Sequence, residues 1–350
     1  MKNVFSLFIT VCTRSLAKIK VKKRGLALCL ITALLCLPGC SSAPISQAPP
    51  LQKITVLLDW FPNTNHTGLY VAQEQGFYRS EGLEVDIIQP PEGGHIQLLA
   101  AGQADFAVSA QEEVTMARSQ GIPVVAIAAV IQHNTSGFAA PQDRNIKTPA
   151  DFEGKTYGGW GSPAEEAVLK LLMSKYQADF SKLNILNIGS SDFFTSVHKD
   201  VDFAWIFWGW TGIEAGLKDM PLSFIRLSEV DQRLDYYTPV LVGSQALLDN
   251  NPDLVEKFMN ATTRGYQYAM QNPDQAAEIL LAKIPEMNRE LVISSQRYLA
   301  GEYQGDAPRW GEMKSAVWQG YADFLFENNL LPSRIDTTMA FSNDFLPPKP

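Results

Sequence analysis

From Lys53 onward, short apolar runs alternate with segments of helical periodicity, and this alternation limits the fold more than any other feature. The predicted elements of this first stretch, strands and helices in turn, are 54–58, 68–75, 83–88, 95–101 and 105–108. Strands separated by helices in this way are typical of a largely parallel sheet covered by helices. The pattern therefore predicts an α/β unit.

A similar order begins again in the middle of the chain. Its elements are a strand at 155–158, a helix at 164–175, and strands at 183–188 and 201–206. Ala-Asp-Phe-Ala at 104–107 recurs as Val-Asp-Phe-Ala at 201–204, in the corresponding strand of each half. We predict an α/β protein of two similar lobes, each a mainly parallel sheet flanked by helices. Ligands then bind where the carboxyl ends of the strands face each other.

The first 39 residues carry seven basic side chains and no acidic one. A Lys-Lys-Arg cluster precedes an apolar run at 25–37, which has the length of a signal-peptide core and is short for a membrane span. The run leads into Leu-Pro-Gly-Cys, which resembles the bacterial lipobox. We predict a lipoprotein signal peptide at 1–39, lipidation of Cys40 and a flexible tether at 40–52. The body is then anchored to the cell membrane and faces the periplasm or the extracellular side; the alternative is a plain secretory signal with an incidental cysteine.

Beyond residue 39 the chain holds 22 basic and 37 acidic residues. This balance excludes nucleic-acid binding, because phosphates need cationic neutralisation. All four cysteines lie within the first forty residues, so the body has neither a disulfide nor a thiolate metal site. The four histidines lack metal-ligand spacing, and the hydrolase patterns G-x-S-x-G and H-E-x-x-H are missing. No catalytic residue, metal or cofactor is predicted.

The segment 59–66 directly follows the first predicted strand and should lie at the edge of the cleft. Trp60 offers an aromatic plane, while Asn63 and His66 offer hydrogen-bonding groups, a combination that suits a polar heteroaromatic ring. These three residues are predicted to contact the ligand. The alternative is a structural strand-to-helix turn, in which Pro and Asn are common and His66 caps the next helix.

The segment 158–165 occupies the matching place in the second lobe. It contains the dinucleotide-binding pattern G-x-G-x-x-A, which is a weak signal here, because an exported protein has no ready supply of NAD. A simpler interpretation is a capping box in which Ser162 and Glu165 begin a helix, with Trp160 as the second wall of an aromatic sandwich. Its predicted ligand contacts are Gly159, Trp160, Gly161 and Glu165.

Three further residues are predicted at the cleft. They are Trp208 at the end of an aromatic-rich strand, Tyr236 near the return to the first lobe, and Glu113, which could accept hydrogen bonds from an exocyclic amine. The alternatives are a core tryptophan, a hinge tyrosine and a solvated carboxylate. Neither 59–70 nor 158–165 contains Lys or Arg, which favours a neutral or weakly cationic ring over an anion.

Four segments carry a family resemblance: 58–72 with its Asp-Trp-Phe-Pro-Asn sequence, 75–78, 99–105 and 151–155. They resemble the substrate-binding proteins of importers for thiamine pyrimidine precursors, which are related to the fungal thiamine-pyrimidine synthases. The resemblance implies a two-lobed clamp of the type II periplasmic-binding-protein class. Its first lobe is expected at 53–139 and 238–345, and its second at 140–237.

The same resemblance implies a formylaminopyrimidine or hydroxymethylpyrimidine ligand, and an ABC permease and ATPase as partners. Riboflavin, taurine or an alkylsulfonate, and nitrate remain alternative ligands, and a lipoprotein sensor remains an alternative role. An enzyme of the synthase kind is a further alternative. The resemblance implies that such enzymes work in the cytoplasm with pyridoxal phosphate, iron and a cysteine-rich motif. The export signal and the missing cysteines beyond Cys40 both oppose it.

Overall fold

The computed structural model describes residues 50–90, 94–189 and 191–349. The predicted signal peptide at 1–39, Cys40 and most of the predicted tether lie outside the described residues. Of the helices in the described ranges, none combines the length and the apolar character that crossing a membrane requires.

The strands are β1 (Gln52–Leu57), β2 (Leu83–Ile88), β3 (Phe106–Ser109), β4 (Val124–Ala129), β5 (Ser136–Pro141), β6 (Thr156–Gly159), β7 (Asn184–Asn187), β8 (Phe203–Phe207), β9 (Leu222–Arg226) and β10 (Val240–Ser244). Within the described ranges they form two five-stranded sheets, one per lobe. The first sheet has the order β2-β1-β3-β10-β4 and the second has the order β7-β6-β8-β5-β9.

Both sheets share one pattern of strand directions. The first strand pairs of each sheet are parallel, whereas β10 in the first sheet and β5 in the second run antiparallel to both of their neighbours. These two strands are the ones by which the chain enters a lobe from the other lobe, so they run away from the cleft while the remaining strands run towards it. The predicted α/β fold with mainly parallel sheets is confirmed.

The helices are α1 (Thr67–Glu74), α2 (Phe77–Ser80), α3 (His95–Ala100), α4 (Gln111–Ser119), α5 (Pro163–Lys175), α6 (Phe193–Lys199), α7 (Ile213–Leu217), α8 (Leu227–Val230), α9 (Gln245–Asn250), α10 (Pro252–Gln271), α11 (Pro273–Lys283), α12 (Arg289–Glu302) and α13 (Ser315–Glu327). Helices α10 and α11 begin with Pro at the first helical position, as the Asn-Pro pairs predict. The side chains of Asn251 and Asn272 make no capping hydrogen bond, however. The fixed φ of proline is what starts these helices.

Each lobe has its own aromatic core. In the first lobe, Phe106 of β3 stacks on Phe258 of α10 with ring centres 3.9 Å apart. In the second lobe, Phe138 of β5 packs edge-on against Phe152 and Tyr157 at 5.5 and 5.4 Å. Burial of such rings stabilises by about 25 cal/mol per Å² of apolar surface. This packing stabilises the two sheets, and the turns at the strand ends start from these sheets.

The lobe boundaries differ from those expected. The expected start of the second lobe at Ala140 falls inside β5, all of which belongs to the second sheet. Helix α13 was expected in the first lobe, but it packs on both cores. Its Trp318 is buried with the first core, whereas Tyr321 and Phe324 are buried with the second. The helix presents apolar residues on more than one face, so it lies between the lobes.

Two chain connections join the lobes, 130–135 between β4 and β5 and 227–239 between β9 and β10. Asp235 ties them together, because one carboxylate oxygen accepts from the backbone N–H of Asn134 at 2.8 Å and the other pairs with His133 at 2.7 Å. His133 also pairs with Asp306, which follows α12, at 3.1 Å. We refer to His133, Asp235 and Asp306 as the hinge clasp.

Candidate ligand-binding cleft

The turn after β1 exposes two aromatic rings. Trp60 is 54% exposed and Phe61 is 55% exposed, and the two rings meet edge to face with centres 5.8 Å apart. Exposed clusters of large apolar side chains often mark sites of interaction with a ligand or a partner. Because this turn follows a strand that runs towards the second lobe, both rings lie at the end of the first sheet that faces the second lobe.

His66 does not face the cleft, contrary to the prediction. Its side chain is fully buried, with Nδ1 accepting from the backbone N–H of Asn63 at 3.2 Å. Its Nε2–H then donates to the Asp59 carboxylate at 2.8 Å. Both ring nitrogens are occupied inside the turn, so His66 holds the turn together and has no group left for a ligand.

Asn63 is likewise committed to the turn. Its amide oxygen accepts from the N–H of Asn65 at 2.8 Å, and its amide nitrogen donates to the carbonyl oxygen of Phe61 at 3.0 Å. Asn63 and His66 together form a capping box at the start of the short helical turn before α1. The structural alternative for these two residues is the one that the contacts favour, and Trp60 is the exposed member of the predicted group.

The turn after β6 exposes Trp160 in the second lobe. Its ring is 47% exposed and rests against the buried Trp205, with centres 5.3 Å apart. Trp160 is thus anchored on one side and open on the other, which suits a stacking surface. Its position at the end of β6 corresponds to that of Trp60 at the end of β1.

Gly159 and Gly161 are required for a different reason from the one predicted. A Cβ on Gly159 would lie 2.5 Å from a carboxylate oxygen of Glu165, and a Cβ on Gly161 would lie 2.5 Å from the amide nitrogen of Asn187. Gly161 also has a φ of +89°, which L side chains avoid. The glycines therefore let the turn close on itself rather than admit a ligand to the backbone.

Glu165 closes this second turn from within. It is 3% exposed and accepts three hydrogen bonds, from the Tyr157 hydroxyl at 2.5 Å, the Trp160 N–H at 3.1 Å and the Ser162 N–H at 2.8 Å. Burial raises the pKa of the Tyr157 hydroxyl, and the neighbouring Glu165 charge raises it further. The capping box is present at the start of α5, and direct ligand contact by Glu165 is not supported. A groove of about 310 Å³ lies beside the turn, between α5 and β7.

Glu113 at the start of α4 meets His95 and Ser109. Its carboxylate accepts from the Ser109 hydroxyl at 2.5 Å and pairs with His95 at 3.0 Å. Burial would raise the pKa of Glu113, but the His95 hydrogen bond and charge hold it below its usual value. About half of the side chain is exposed, and it lines a groove of about 260 Å³ between α3 and α4. The Glu113 side chain is therefore accessible to solvent, but its carboxylate is already hydrogen-bonded to His95.

Glu112, which was not among the predicted site residues, reaches across to the second lobe. One oxygen accepts from the Tyr321 hydroxyl of α13 at 2.8 Å, and the other accepts from the Ser162 hydroxyl at 3.5 Å. Burial raises the pKa of Glu112, and the charges of Glu113 and Glu165 raise it further. Successive helical residues point about 100° apart, so at most one of the two glutamates could face the second lobe. The sequence therefore indicates that Glu112 and Glu113 point in different directions, but it does not indicate which of them faces the second lobe.

The two remaining predicted residues pack against their own neighbours. Trp208 is half-buried on Phe224 with ring centres 4.8 Å apart, at the start of a π-helical turn. Tyr236 is buried and stacks on Tyr321 at 4.1 Å, so it supports the tyrosine that holds Glu112. Phe207, at the end of β8, is 39% exposed.

The described parts of the cleft thus combine exposed aromatic rings at strand ends with the carboxylates of Glu112 and Glu113 at the start of α4. Within residues 50–349, apart from the four undescribed positions, no three His, Cys, Asp or Glu side chains converge as metal ligands. Helix α12 meets the second lobe where Ser295 donates to the carbonyl oxygen of Gly209. The arrangement can stack a flat ring and accept hydrogen bonds from it.

Residues 63–276 match the family described as NMT1/THI5 like, which is more than half of the chain. The chain belongs to the NMT1/THI5-like family. The formylaminopyrimidine-binding protein of Halalkalibacterium halodurans is 30% identical over 90% of this chain and 97% of its own length. The riboflavin-binding protein RibY of Chloroflexus aurantiacus is 27% identical over 89% and 90% of the two chains.

A third relative is the 4-amino-5-hydroxymethyl-2-methylpyrimidine phosphate synthase of Legionella pneumophila, 24% identical over 85% of this chain and 93% of its own length. Binding proteins and synthases therefore both occur among the relatives, which confirms the predicted resemblance. Among solved structures, the alkanesulfonate-binding protein SsuA from Xanthomonas axonopodis pv. citri bound to MOPS covers 84% of this chain and 99% of its own. Its TM-score is 0.64 at 14% identity, which shows the fold alone and confirms the periplasmic-binding-protein-like prediction.

Proposed function

We propose that this protein is the solute-binding component of an ABC importer and that its cleft binds a thiamine pyrimidine precursor of the formylaminopyrimidine or hydroxymethylpyrimidine type. The observation that carries the proposal is the pair of exposed tryptophans, Trp60 and Trp160, on corresponding turns of the two lobes. A flat heteroaromatic ring gains stacking area from both when the lobes close. Trp60, Trp160 and the carboxylate of Glu112 are the residues to which we assign ligand contact.

The pyrimidine assignment is supported by the hydrogen-bonding groups of the cleft and by the ligand of a related protein. An aminopyrimidine donates N–H groups, and Glu112 and Glu113 offer carboxylate oxygens at the start of α4. A formylaminopyrimidine-binding protein is the relative at 30% identity, and it is covered almost completely. Its ligand is the first one to test on this chain.

The proposed cellular setting depends on the predicted leader. A lipoprotein signal peptide at 1–39 and a lipidated Cys40 would hold the lobes outside the cytoplasmic membrane, on the side from which importers collect solutes. A permease and an ATPase are then the partners that receive and move the ligand. The body after Cys40 contains no cysteine, which supports a binding role over the iron- and cysteine-dependent chemistry that the resemblance implies for the synthases.

Riboflavin is the second candidate ligand. Phe61 and Phe207 add exposed aromatic surface to the two tryptophans, at 55% and 39% exposure. That surface is larger than a single pyrimidine ring requires and would suit a fused ring system. A riboflavin-binding relative at 27% identity adds weight to this candidate.

A thermal-melting panel on the purified protein tests the proposal. Formylaminopyrimidine, hydroxymethylpyrimidine, riboflavin, taurine and nitrate are added separately at concentrations from micromolar to millimolar. We expect the pyrimidines to raise the melting temperature most and to change tryptophan fluorescence, because a ligand that binds the folded state stabilises it. A larger shift with riboflavin would assign riboflavin, and not a pyrimidine, as the ligand. If no member of the panel stabilised the protein, the proposal would be contradicted.

A further inference from the structure

Two carboxylates from opposite lobes meet at one residue of the cleft. Ser162 contacts both of them, since its hydroxyl donates to Glu112 at 3.5 Å and its backbone N–H donates to Glu165 at 2.8 Å. Glu112 belongs to α4 of the first lobe, and Glu165 belongs to α5 of the second. Two acidic side chains, one from each lobe, therefore lie on either side of a single serine in this structure.

The groups that hold these carboxylates are all neutral. Glu112 accepts from the hydroxyls of Tyr321 and Ser162, and Glu165 accepts from the Tyr157 hydroxyl and from the backbone N–H groups of Trp160 and Ser162. Two cationic side chains of these lobes have other partners. His95 pairs with Glu113, and Arg226 at the end of β9 lies near Glu229 and donates to Tyr298. Among the described residues, Glu112 and Glu165 are thus hydrogen-bonded but not paired with a cation.

Glu165 also fills the place that an anionic ligand would take. The start of a helix, with its free N–H groups, attracts phosphate and sulfonate. Here the N–H of Ser162, at the start of α5, and the N–H of Trp160 just before it already point at the Glu165 carboxylate, which is 97% buried. An incoming anion would meet a fixed negative charge instead of open donors.

We propose that Glu112 and Glu165 determine specificity by charge, so that the cleft accepts an uncharged or amine-bearing ring and rejects the phosphate ester of the same ring. This inference rests on the proposed function, since it concerns the same cleft. Like charges a few ångströms apart at a partly buried site repel strongly enough to lower affinity on the order of a hundredfold. Partial exposure and a mobile ester reduce that figure, and we expect at least about tenfold discrimination.

The test compares ligands that differ in a phosphate alone: 4-amino-5-hydroxymethyl-2-methylpyrimidine against its phosphate, and riboflavin against riboflavin 5′-phosphate. Affinities are measured by calorimetry on the full-length protein and on Glu112→Gln, Glu165→Gln, Ser162→Ala and Glu166→Gln. We expect the wild type to prefer the uncharged member by at least about tenfold. Either glutamine variant should reduce that preference to about threefold or less, because the charge is gone while most hydrogen bonds remain.

The other two variants are controls. Glu166 is an exposed neighbour on α5 that pairs with Lys170 at 3.0 Å, and Ser162→Ala keeps both charges while removing the hydroxyl between them. Both should preserve the wild-type preference, and melting curves confirm that each variant is folded. Equal binding of the two members of a pair by the wild type would overturn the inference, as would an unchanged preference in both folded glutamine variants.

The outcomes for the two ligand pairs separate the two proposals. If riboflavin binds and the pyrimidine does not, with riboflavin preferred over its phosphate, the pyrimidine assignment fails while the charge selectivity stands. If the pyrimidine binds but its phosphate binds equally well, the ligand assignment stands and the charge selectivity fails. Binding of neither pair would overturn the proposed function, and the charge selectivity with it.

Discussion

The turn after β1 in the first lobe and the turn after β6 in the second are built alike but charged differently. Each exposes a tryptophan, and each is closed by a capping box whose last member is buried. In the first lobe that member is His66, which shares its hydrogen bond with Asp59. In the second it is Glu165, whose donors are all neutral. The two turns therefore present a tryptophan in the same way but differ in charge. The turn of the first lobe contains a carboxylate–imidazole pair, whereas the turn of the second lobe contains a carboxylate without a cationic partner.

The two capping boxes therefore share a structural role but differ in charge. Both boxes fix the path of the backbone, which sets where the tryptophans point. In our proposal, the charge of the closing residue Glu165 is what sets the charge preference of the cleft.

The largest expected effect is the loss of stability when either capping box is broken. Glu165→Ala leaves the Tyr157 hydroxyl and two backbone N–H groups without an acceptor and should lower the free energy of unfolding by about 2–4 kcal/mol. His66→Ala should cost a similar amount, about 2–3 kcal/mol, because it removes a fully buried ring and leaves Asp59 without its partner. Denaturant unfolding monitored by circular dichroism measures both.

Glu166→Ala is the control for both variants and is matched most closely to Glu165→Ala, because it breaks an exposed pair with Lys170 on the same helix, α5. Exposed pairs of this kind contribute about 0.5 kcal/mol or less. If Glu165→Ala unfolded at the same denaturant concentration as Glu166→Ala, the closing role of Glu165 would be wrong. If His66→Ala alone were neutral, the two turns would not share a plan.

The next largest effect is on affinity. Trp60→Ala and Trp160→Ala should each weaken ligand binding by about 1–3 kcal/mol, the range for one stacking wall. Tyr176→Ala is the control, since Tyr176 is a 44% exposed ring at the far end of α5 from Trp160. Calorimetry with the ligand that gives the strongest thermal shift measures all three. An effect from one tryptophan and none from the other would mean that the ring rests on a single lobe.

The sequence allowed the architecture and the exposed tryptophans to be predicted, since both follow from local patterns. Periodicity located the strands that lead to each turn, and the Ser162–Glu165 spacing indicated the capping box. It did not show that His66 would turn inwards, because that depends on Asp59 seven positions earlier. It also favoured Glu113 over Glu112, whose partner Tyr321 lies more than two hundred positions away. Side-chain directions set by distant partners were beyond local patterns.

The smallest expected effect lies where the two lobes are joined, and it tests how independent they are. In the hinge clasp, burial would lower the pKa of His133, but its pairing with Asp235 and Asp306 raises it above the usual value. Lys314, 3.6 Å from Asp306, competes for that carboxylate. Because the unfolded chain has the lower histidine pKa, near 6.5, the clasp stabilises fully below that pH, and its contribution is lost as the pH rises through the folded-state pKa.

The contribution should be about 1 kcal/mol or less, since the His133 side chain is 42% exposed and solvent screens the pair. Unfolding free energies of the wild type and His133→Gln, measured from pH 5 to pH 9, should differ most at the acid end and converge at the alkaline end. His198→Gln, on the exposed side of α6, serves as the control for loss of a histidine elsewhere. A difference that stays constant with pH would mean that His133 joins the connections by packing alone. The lobes would then be coupled through α13 rather than through charge.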